Sequence, residues 1–572
     1  MLIDLKNCPI DDTELSVDIC IVGAGPAGIT IARELIDSDK KILLVESGGI
    51  KEDRQALSLY DGYSIGHPLE LTFGRYRILG GSSVMWGGRC ALLDRMDFEH
   101  REWIPRSGWP ISYDELAPYY EKAVRTCNFN EEWKELSDVQ SILKVELPTL
   151  KSGNLVPFVW RVAPPDRHPS LWNRLTFGYR ASFKFGSAYL PELQAAKNLD
   201  VLVHANLAQL RPGEGENSIR SAEFCTLDGR KARVAAKAFI IACSGIENAR
   251  ILLNLPQALL RSANAHDQIG RCFAQHPRGV IGTIQASTAQ ALVLQKTFND
   301  FLRPKYVPVQ YEIGLALSEQ SQRKHRLLNA SLGLYYEADD FSIWKTASRV
   351  RQSINQRIFD RQFLKNILTV SLGVRTIGAN VIRRWILGRE VLHKNPIVRA
   401  IIDLEQVPRP ESRITLSSDV DAVGMRKCMV DWRLGELERH TAKRFADFLD
   451  DELRASNLGV LQKSGWLISE APLIEEDLRS NLHFIGATRM AARPQDGVVD
   501  KNCKVFGVEN LFMAGASVFS IGGHGNPMVT IVALATRLGE HLRDLDLDGQ
   551  SAPHLSATNL QTARELSSIL PS

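Results

Sequence analysis

The stretch VDICIVGAGPAG at residues 17–28 decides the fold of this chain. Its first six residues are an apolar, β-branched run that predicts a buried strand. After the stretch, ITIARELIDS predicts a helix over residues 29–38, and KILLVE predicts a second strand over residues 41–46. A glycine-rich turn that leads from a strand into a helix, within a strand–helix–strand unit, is the context in which GxGxxG binds a dinucleotide.

The three glycines of this turn have separate roles. Gly23 allows the tight turn, Gly25 lets a pyrophosphate approach the backbone, and Gly28 allows the helix to pack closely on the strand. The helix N-terminus offers unpaired N–H groups to the phosphates. Glu46 ends the second strand, where a carboxylate binds ribose hydroxyls and disfavours a 2′-phosphate. The motif therefore predicts a dinucleotide other than NADP and leaves FAD and NAD open.

Length and composition place the chain among ordinary globular proteins. It has 572 residues, of which 44% are hydrophobic and 24% charged, and its formal net charge is +3. This near-neutral balance gives no reason to expect nucleic-acid binding. The nine cysteines show no metal-ligand spacing. We therefore expect no metal site. A reducing, cytoplasmic location fits this pattern, and export of the folded protein stays open.

Four further segments indicate a family. They are RILGGSSVMWGGRC at 77–90, AFIIACSGIENARILLN at 238–254, EQVPRPESRITL at 405–416, and a block at 481–531 that contains HFIGATRM and GGHGNPMVTI. Together with the N-terminal turn, in this order, they resemble the glucose–methanol–choline (GMC) oxidoreductases. The resemblance spans most of the chain and is greatest to the sugar-oxidising branch, which includes pyranose oxidase and the large subunits of bacterial sugar dehydrogenases.

The resemblance implies FAD as the cofactor and a discontinuous α/β architecture. A Rossmann-like FAD-binding domain would be interleaved with an α+β substrate domain built on an antiparallel sheet. The family's plan assigns residues 1–100, 190–280 and 480–546 to the FAD-binding domain, and residues 101–189 and 281–479 to the substrate-binding domain. We expect residues 547–572 to form a mobile tail.

The middle of the sequence permits this plan. Strand-like runs lie at 280–286, 310–317, 330–337, 412–416 and 428–432. An amphipathic helix is predicted over 435–456, with Glu436, Glu438 and Arg439 on its polar face.

The resemblance also implies catalytic residues. His483, in HFIGATRM, matches the family's base, which accepts a hydroxyl proton while a hydride leaves for flavin N5. Asn526, in GGHGNPMVTI, matches a position that holds a second His or an Asn beside that base, where its amide would hold the substrate hydroxyl. His524 has no family counterpart that we can name. It could contact the substrate, support the site or be an ordinary loop residue.

Other matched positions are expected to contact FAD, although each of them could serve packing alone. Met85 stands where pyranose oxidase carries the His that is covalently linked to the flavin, so the resemblance implies non-covalent FAD. The expected contacts are Gly80, Gly81, Ser82 and Ser83 in the flavin-lining loop, Ala205 and Leu207 near adenine, Ser244 beside the ADP moiety, and Gly515, Ala516, Pro527 and Met528 on the pyrimidine side.

The resemblance implies a small-molecule alcohol or sugar as the substrate, oxidised at a CH–OH group. The electron acceptor would be O2, a quinone or a redox partner. Two alternatives stay open. The chain could be a GMC-type oxidoreductase acting on a lipid or natural-product alcohol, or a non-catalytic flavin-binding or electron-transfer subunit.

Residues 341–400 carry the one unusual charge feature. They contain twelve basic and two acidic residues, a net charge of +10, with apolar residues interleaved. This pattern predicts basic amphipathic helices. Their basic faces could be solvated, or they could contact a membrane surface or an acidic partner.

Overall fold

A computed structural model describes residues 1–547 of the protein with several gaps. The residues that it does not describe are 9–12, 130–135, 144–148, 165–182, 214–216, 299–308, 338–345, 347–348, 351, 355–358, 373–377, 379–381, 383–388, 390–391, 394 and 548–572. The predicted mobile tail therefore lies outside the described residues except for Leu547, and so does much of the basic segment 341–400.

The strands alternate with helices in the N-terminal part and dominate the middle of the chain. In chain order the described strands are β1 Leu2–Asp4, β2 Thr13–Val22, β3 Ile42–Val45, β4 Gly62–Gly66, β5 Arg89–Cys90, β6 Leu155–Val162, β7 Leu199–Val203, β8 Asn206–Pro212, β9 Ile219–Cys225, β10 Lys231–Ile241, β11 Arg278–Gln285, β12 Gln310–Leu317, β13 Ala330–Glu337, β14 Ile397–Leu404, β15 Arg413–Val420, β16 Arg426–Trp432, β17 Val460–Lys463 and β18 Leu511–Met513.

The described helices are distributed along the whole chain. In chain order the described α-helices are α1 Pro26–Glu34, α2 Arg54–Leu57, α3 Tyr113–Thr126, α4 Leu136–Leu143, α5 Phe185–Ala195, α6 Gly245–Leu253, α7 Gln257–Ala263, α8 Thr288–Thr297, α9 Glu319–His325, α10 Arg361–Leu372, α11 Glu436–Ala455 and α12 Met528–Asp544.

The first sheet has the order β1-β7-β3-β2-β10-β9-β8, with β18 also paired to β10. Neighbouring strands are parallel throughout β1, β7, β3, β2 and β10, and β18 is parallel to β10. β9 is antiparallel to both of its neighbours, β10 and β8. β10 pairs with β2 along one side and with β9 and then β18 along the other. Strands from the N-terminal, middle and C-terminal parts of the chain thus meet in one sheet.

Helices pack against each other where the two ends of the chain meet. α12 lies against α1 and α3, and the hydroxyls of Tyr120 in α3 and Thr530 in α12 are 3.1 Å apart. Parallel strands are stable only when helices bury them, and β3 is buried throughout. The C-terminal helix therefore completes a unit that the N-terminal turn begins.

The second sheet is antiparallel and has the order β17-β11-β14-β13-β12-β6-β5, while β15, β16 and β4 form a third, smaller sheet. The strands predicted in the middle of the sequence are confirmed as β11, β12, β13, β15 and β16. The predicted fold class, a parallel sheet with an interleaved antiparallel one, is also confirmed. The domain boundaries stay a prediction, and β4 pairs with β16 across one of them.

Two predicted helices differ from the structure. The helix predicted over 29–38 spans Pro26–Glu34 instead. It starts earlier because the fixed φ angle of Pro26 already suits the first residue of a helix, and Leu35 caps its end. The helix predicted over 435–456 is α11, but two residues assigned to its polar face are buried, Glu438 at 0% exposed and Arg439 at 6%.

Both buried charges have polar partners. Glu438 accepts backbone N–H groups from Val407 and Gly435 at 3.0 Å each, while Arg439 donates to the carbonyls of Ser469 and Ala471.

No helix in the described part of the chain is long and apolar enough to cross a membrane.

Candidate active site

A cavity of about 510 Å³ opens where the first sheet meets the second. Both predicted catalytic residues, His483 and Asn526, line it. It is also lined by these residues predicted to contact FAD: Gly23, Gly25, Glu46, Gly81, Ser82, Ser83, Ala205, Leu207, Ser244, Gly515, Ala516, Pro527 and Met528. The fold therefore brings together residues that are up to 505 positions apart in the sequence, from Gly23 to Met528.

Two predicted cofactor residues shape the cavity from behind and do not line it. A Cβ atom at Gly28 would lie 1.9 Å from the carbonyl oxygen of Gly23, so only glycine fits between α1 and the turn. The N–H of Gly80 donates to the carbonyl of Ala24 at 2.8 Å and ties the flavin-lining loop to the same turn.

Glu46 is held by its surroundings at the end of β3. Its carboxylate accepts the N–H groups of Ala24 at 3.0 Å and Gly48 at 2.9 Å, and the hydroxyl of Ser47 at 3.2 Å. Burial raises the pKa of Glu46, although these hydrogen bonds and the charge of Arg77 oppose that effect. The carboxylate is thus fixed in place where it lines the cavity.

Three helix N-termini face the cavity. α1, α6 and α12 begin directly after Gly25, Ser244 and Pro527, and none of these residues caps its helix with a side-chain hydrogen bond. The buried hydroxyl of Ser244 has no partner among the described residues. Uncapped N-termini present N–H donors and a partial positive charge, which suit an anionic pyrophosphate.

A buried ionic cluster forms another wall. Glu247 pairs with Arg250 at 2.6 Å, with Arg77 at 3.0 Å and with Arg75 at 3.5 Å. Burial alone would raise the pKa of Glu247, but the three guanidinium groups hold it at about 2. The guanidinium of Arg75 also stacks 3.7 Å from the ring centre of Tyr60. The sequence prediction missed this cluster, because Arg77 and Glu247 are 170 residues apart in the chain.

His483 lies opposite a histidine that the sequence prediction missed. The segments 274–278 and 479–485 pair as short antiparallel bridges. The Nδ1 atoms of His483 and His276 are 2.8 Å apart. Burial, His276 and the charges of Arg278 and Arg89 lower the pKa of His483 well below its usual 6.5. The ring is therefore neutral at pH 7 and able to accept a proton.

The cavity wall beside His483 is polar. Arg89, Arg278, Tyr335 and Asn481 line it. Asp403 ties three of them together, since its carboxylate accepts from Asn481 at 3.2 Å and lies 3.6 Å from Arg89 and 3.7 Å from Arg278. These residues come from strands and loops of different sequence segments, and no motif marks them.

His524 is buried and does not line the cavity. Its Nε2 lies 3.4 Å from a carboxylate oxygen of Asp94, and its ring packs edge-on against Phe158 with 4.7 Å between centroids. The charge of Asp94 raises the pKa of His524 against the opposing effect of burial. Its position favours a supporting role in the loop that carries Asn526.

A salt bridge underlies this loop. Arg101 and Glu405 form two parallel hydrogen bonds of 2.9 and 2.6 Å, and both side chains are completely buried. Burial, together with the charges of Asp94 and Glu405, raises the pKa of Asp97 to about 7. The carboxyl groups of Glu405, Asp97 and Asp94 thus lie around the buried guanidinium of Arg101.

The C-terminal part of the chain identifies the family. Residues 408–535, which include both His483 and Asn526, match the family model described as GMC oxidoreductase. This part of the chain is a GMC oxidoreductase C-terminal domain. The resemblance drawn from the sequence is confirmed.

Two curated relatives align with this chain over most of their length. The 2-methyl-1,2-propanediol dehydrogenase of Mycolicibacterium austroafricanum is 21% identical, with 92% of this chain and 95% of that protein aligned. The fructose dehydrogenase large subunit of Gluconobacter japonicus is 22% identical, with 92% and 97% aligned.

Among solved structures, pyridoxine 4-oxidase from Mesorbium loti is similar over 92% of this chain and 99% of its own, at a TM-score of 0.52 and 16% identity. At that sequence identity the similarity shows that the two proteins share a fold.

Proposed function

We propose that this GMC oxidoreductase oxidises a CH–OH group of a sugar, glycoside or polyol to a carbonyl. The observation that carries the proposal is that His483 and Asn526 line the same cavity as the dinucleotide-binding turn. A proton acceptor and an amide therefore lie beside the site that the turn provides for a cofactor.

The cavity fits FAD, the flavin cofactor of the family. Its uncapped helix N-termini suit the pyrophosphate, and the carboxylate of Glu46 suits the ribose hydroxyls. FAD, when bound, supplies the hydride acceptor. Met85 lines the cavity where a linking His would stand and is 68% exposed, which supports non-covalent binding.

His483 and Asn526 would divide the work at the substrate hydroxyl. The neutral imidazole of His483 accepts the hydroxyl proton. The amide of Asn526 holds the same hydroxyl in place, so that the C–H bond is oriented for hydride loss. Proton and hydride thus leave the alcohol for different acceptors, and the carbonyl remains.

The polar wall supports a substrate that is rich in hydroxyls. The side chains of Arg89, Arg278, Tyr335 and Asn481 can hydrogen-bond several hydroxyl groups of one ligand. An alkyl chain in this place would leave buried polar groups unpaired, which costs free energy. Relatives named for a diol and for fructose agree with this choice over a lipid alcohol.

Anaerobic flavin bleaching tests the proposed function. We expect the flavin absorbance of the purified holoenzyme to bleach with at least one sugar or polyol of a broad panel. Bleaching with lipid alcohols alone would favour that alternative. No bleaching with any alcohol would favour an electron-transfer subunit. Readmitted oxygen then separates O2 from a quinone or a redox partner as the acceptor, because only an oxidase regains its colour rapidly.

We also propose that α10 contacts an anionic membrane surface. Leu364, Ile367 and Leu368 lie at helical spacing and are all exposed, while Asn366 is buried. The helix belongs to the segment with a net charge of +10. Basic helices with exposed apolar residues bind anionic membrane interfaces. None of the nine cysteines, all of which the structure describes, forms a disulfide bond, which supports a cytoplasmic location on such a surface.

Vesicle flotation tests this contact. We expect the protein to float with anionic vesicles at low salt and not with neutral ones. The double variant Leu364→Ser/Leu368→Ser should float less, because it loses most of the exposed apolar area. The control Ile468→Ser removes an equally exposed apolar side chain outside the basic segment and should float normally. Failure of the wild type to float would contradict the proposal.

A further inference from the structure

We infer that His276 is a positioning residue that fixes the tautomer of His483, so that Nε2 of His483 is the atom that accepts the substrate proton. The tautomer follows from the hydrogen-bond geometry of two neutral rings, whereas its catalytic use rests on the function proposed above.

The backbone fixes where the two rings meet. Ala274 and Ile485 exchange two hydrogen bonds of 2.9 Å, and Arg278 and Arg479 exchange another two of 2.9 Å. The two histidines lie between these bridges, His276 on one segment and His483 on the opposite segment of the same chain. Their rings are nearly perpendicular, at 82°, with 5.0 Å between centroids. The contact between the Nδ1 atoms is therefore built into the register of the two segments.

The carbonyl of Gly522 decides which nitrogen of His276 carries a proton. It lies 3.2 Å from Nε2 of His276. A carbonyl only accepts hydrogen bonds, so Nε2 must donate. Burial lowers the pKa of His276 to about 4, and the ring is neutral at pH 7. A neutral imidazole has a single N–H, so Nδ1 of His276 is an acceptor.

The tautomer of His483 follows from that of its partner. Its Nδ1 lies 2.8 Å from the acceptor Nδ1 of His276 and must donate to it. Because His483 is also neutral, its single proton is on Nδ1, and Nε2 keeps its lone pair. With Nδ1 engaged by His276, Nε2 is the ring nitrogen left to act as a base in the cavity that His483 lines.

Charged groups around the pair do not change this assignment. Asp403 and Glu405 favour a protonated His276, His524 opposes it, and burial outweighs them. Arg89 and Arg278 face His483 and oppose its protonation. Both rings are consequently neutral before the substrate binds.

Gly522 connects the histidine pair to the loop of Asn526. A Cβ atom at Gly522 would lie 3.0 Å from Nε2 of His276 and 2.8 Å from Cδ1 of Ile485. The close approach that aligns the carbonyl with His276 thus needs a glycine. Since Gly522 precedes Asn526 by four residues, the same hydrogen bond ties His276 to the loop that carries the amide.

NMR of the holoenzyme labelled with ¹⁵N-histidine tests the tautomer without any substrate. We expect the His483 ring to show a protonated Nδ1 and an unprotonated Nε2 at pH 7, with its signals assigned by their loss in His483→Ala. A proton on Nε2 of His483 would overturn the inference. Since no turnover is involved, this result is independent of whether the proposed function is correct.

Kinetics of two His276 variants test the positioning role. In His276→Leu we expect the rate constant of flavin reduction to fall by up to about 100-fold, with a smaller change in KM, because the base is no longer held in place once the acceptor for Nδ1 is lost. His276→Asn keeps an acceptor oxygen near the former Nδ1 and should recover much of the rate. The control His325→Leu changes a histidine of α9 away from the cavity and should match the wild type.

A double-mutant cycle separates positioning from general damage. Once His483 is Ala, the substitution His276→Leu should cause no further loss of rate, because it acts only through the missing ring. Equal losses in both backgrounds, or full activity in His276→Leu, would overturn the positioning role. Flavin absorbance confirms that each variant is folded and loaded.

Discussion

Replacing His483 by Ala is expected to lower the rate constant of flavin reduction by about 10²- to 10⁴-fold, the usual contribution of a general base. The substrate hydroxyl would then lose its proton acceptor, whereas the polar wall that binds the substrate would remain. We therefore expect a small change in KM. Anaerobic stopped-flow measurement of flavin bleaching, with the best substrate of the panel, gives both values.

The pH profile of the wild type gives an independent check on this base. His483 must be unprotonated to act, and its surroundings lower its pKa well below 6.5. As pH falls, kcat/KM should therefore stay level through pH 6.5 and decline only at lower pH. This acid limb should disappear in His483→Ala. A variant with wild-type bleaching, or an acid limb centred above pH 6.5, would contradict the assignment.

The dinucleotide-binding unit could be predicted because its signals are local. The apolar run of β2, the glycine spacing and the acid at the end of β3 all lie within thirty residues. Each of them restricts the backbone directly, through strand propensity or through space that only glycine leaves. The start of α1 was misplaced because the sequence pattern treats GAGPAG as turn, although Pro26 already has the φ angle of a helix.

The supporting residues of the site could not be predicted, because they act through contacts between distant segments. His276 and His483 are 207 residues apart, and Arg101 and Glu405 are 304 apart. Nothing in the local sequence of either member indicates its partner. Glu438 shows the same limit, since a carboxylate at helical spacing resembles a solvent-exposed residue until its buried partners are known.

The largest effect on stability is expected from Arg101→Met. The Arg101–Glu405 pair is completely buried, and removing one partner of a buried pair costs about 3–5 kcal/mol because the other charge stays unpaired. Here the unpaired carboxylate would also lie near Asp94 and Asp97, which adds repulsion. Urea unfolding of the holoenzyme, followed by tryptophan fluorescence, measures the change.

An exposed arginine supplies the matched control. Arg323 pairs with Glu99 at 2.6 Å and Glu319 at 2.8 Å but is 43% exposed, so Arg323→Met should cost less than about 1 kcal/mol. The double variant Arg101→Met/Glu405→Gln should recover part of the loss. It removes the stranded charge, and the Gln oxygen can still accept the N–H of Asn329, which donates to Glu405 at 2.8 Å. A loss in Arg101→Met no greater than in Arg323→Met would mean that burial does not make this pair essential.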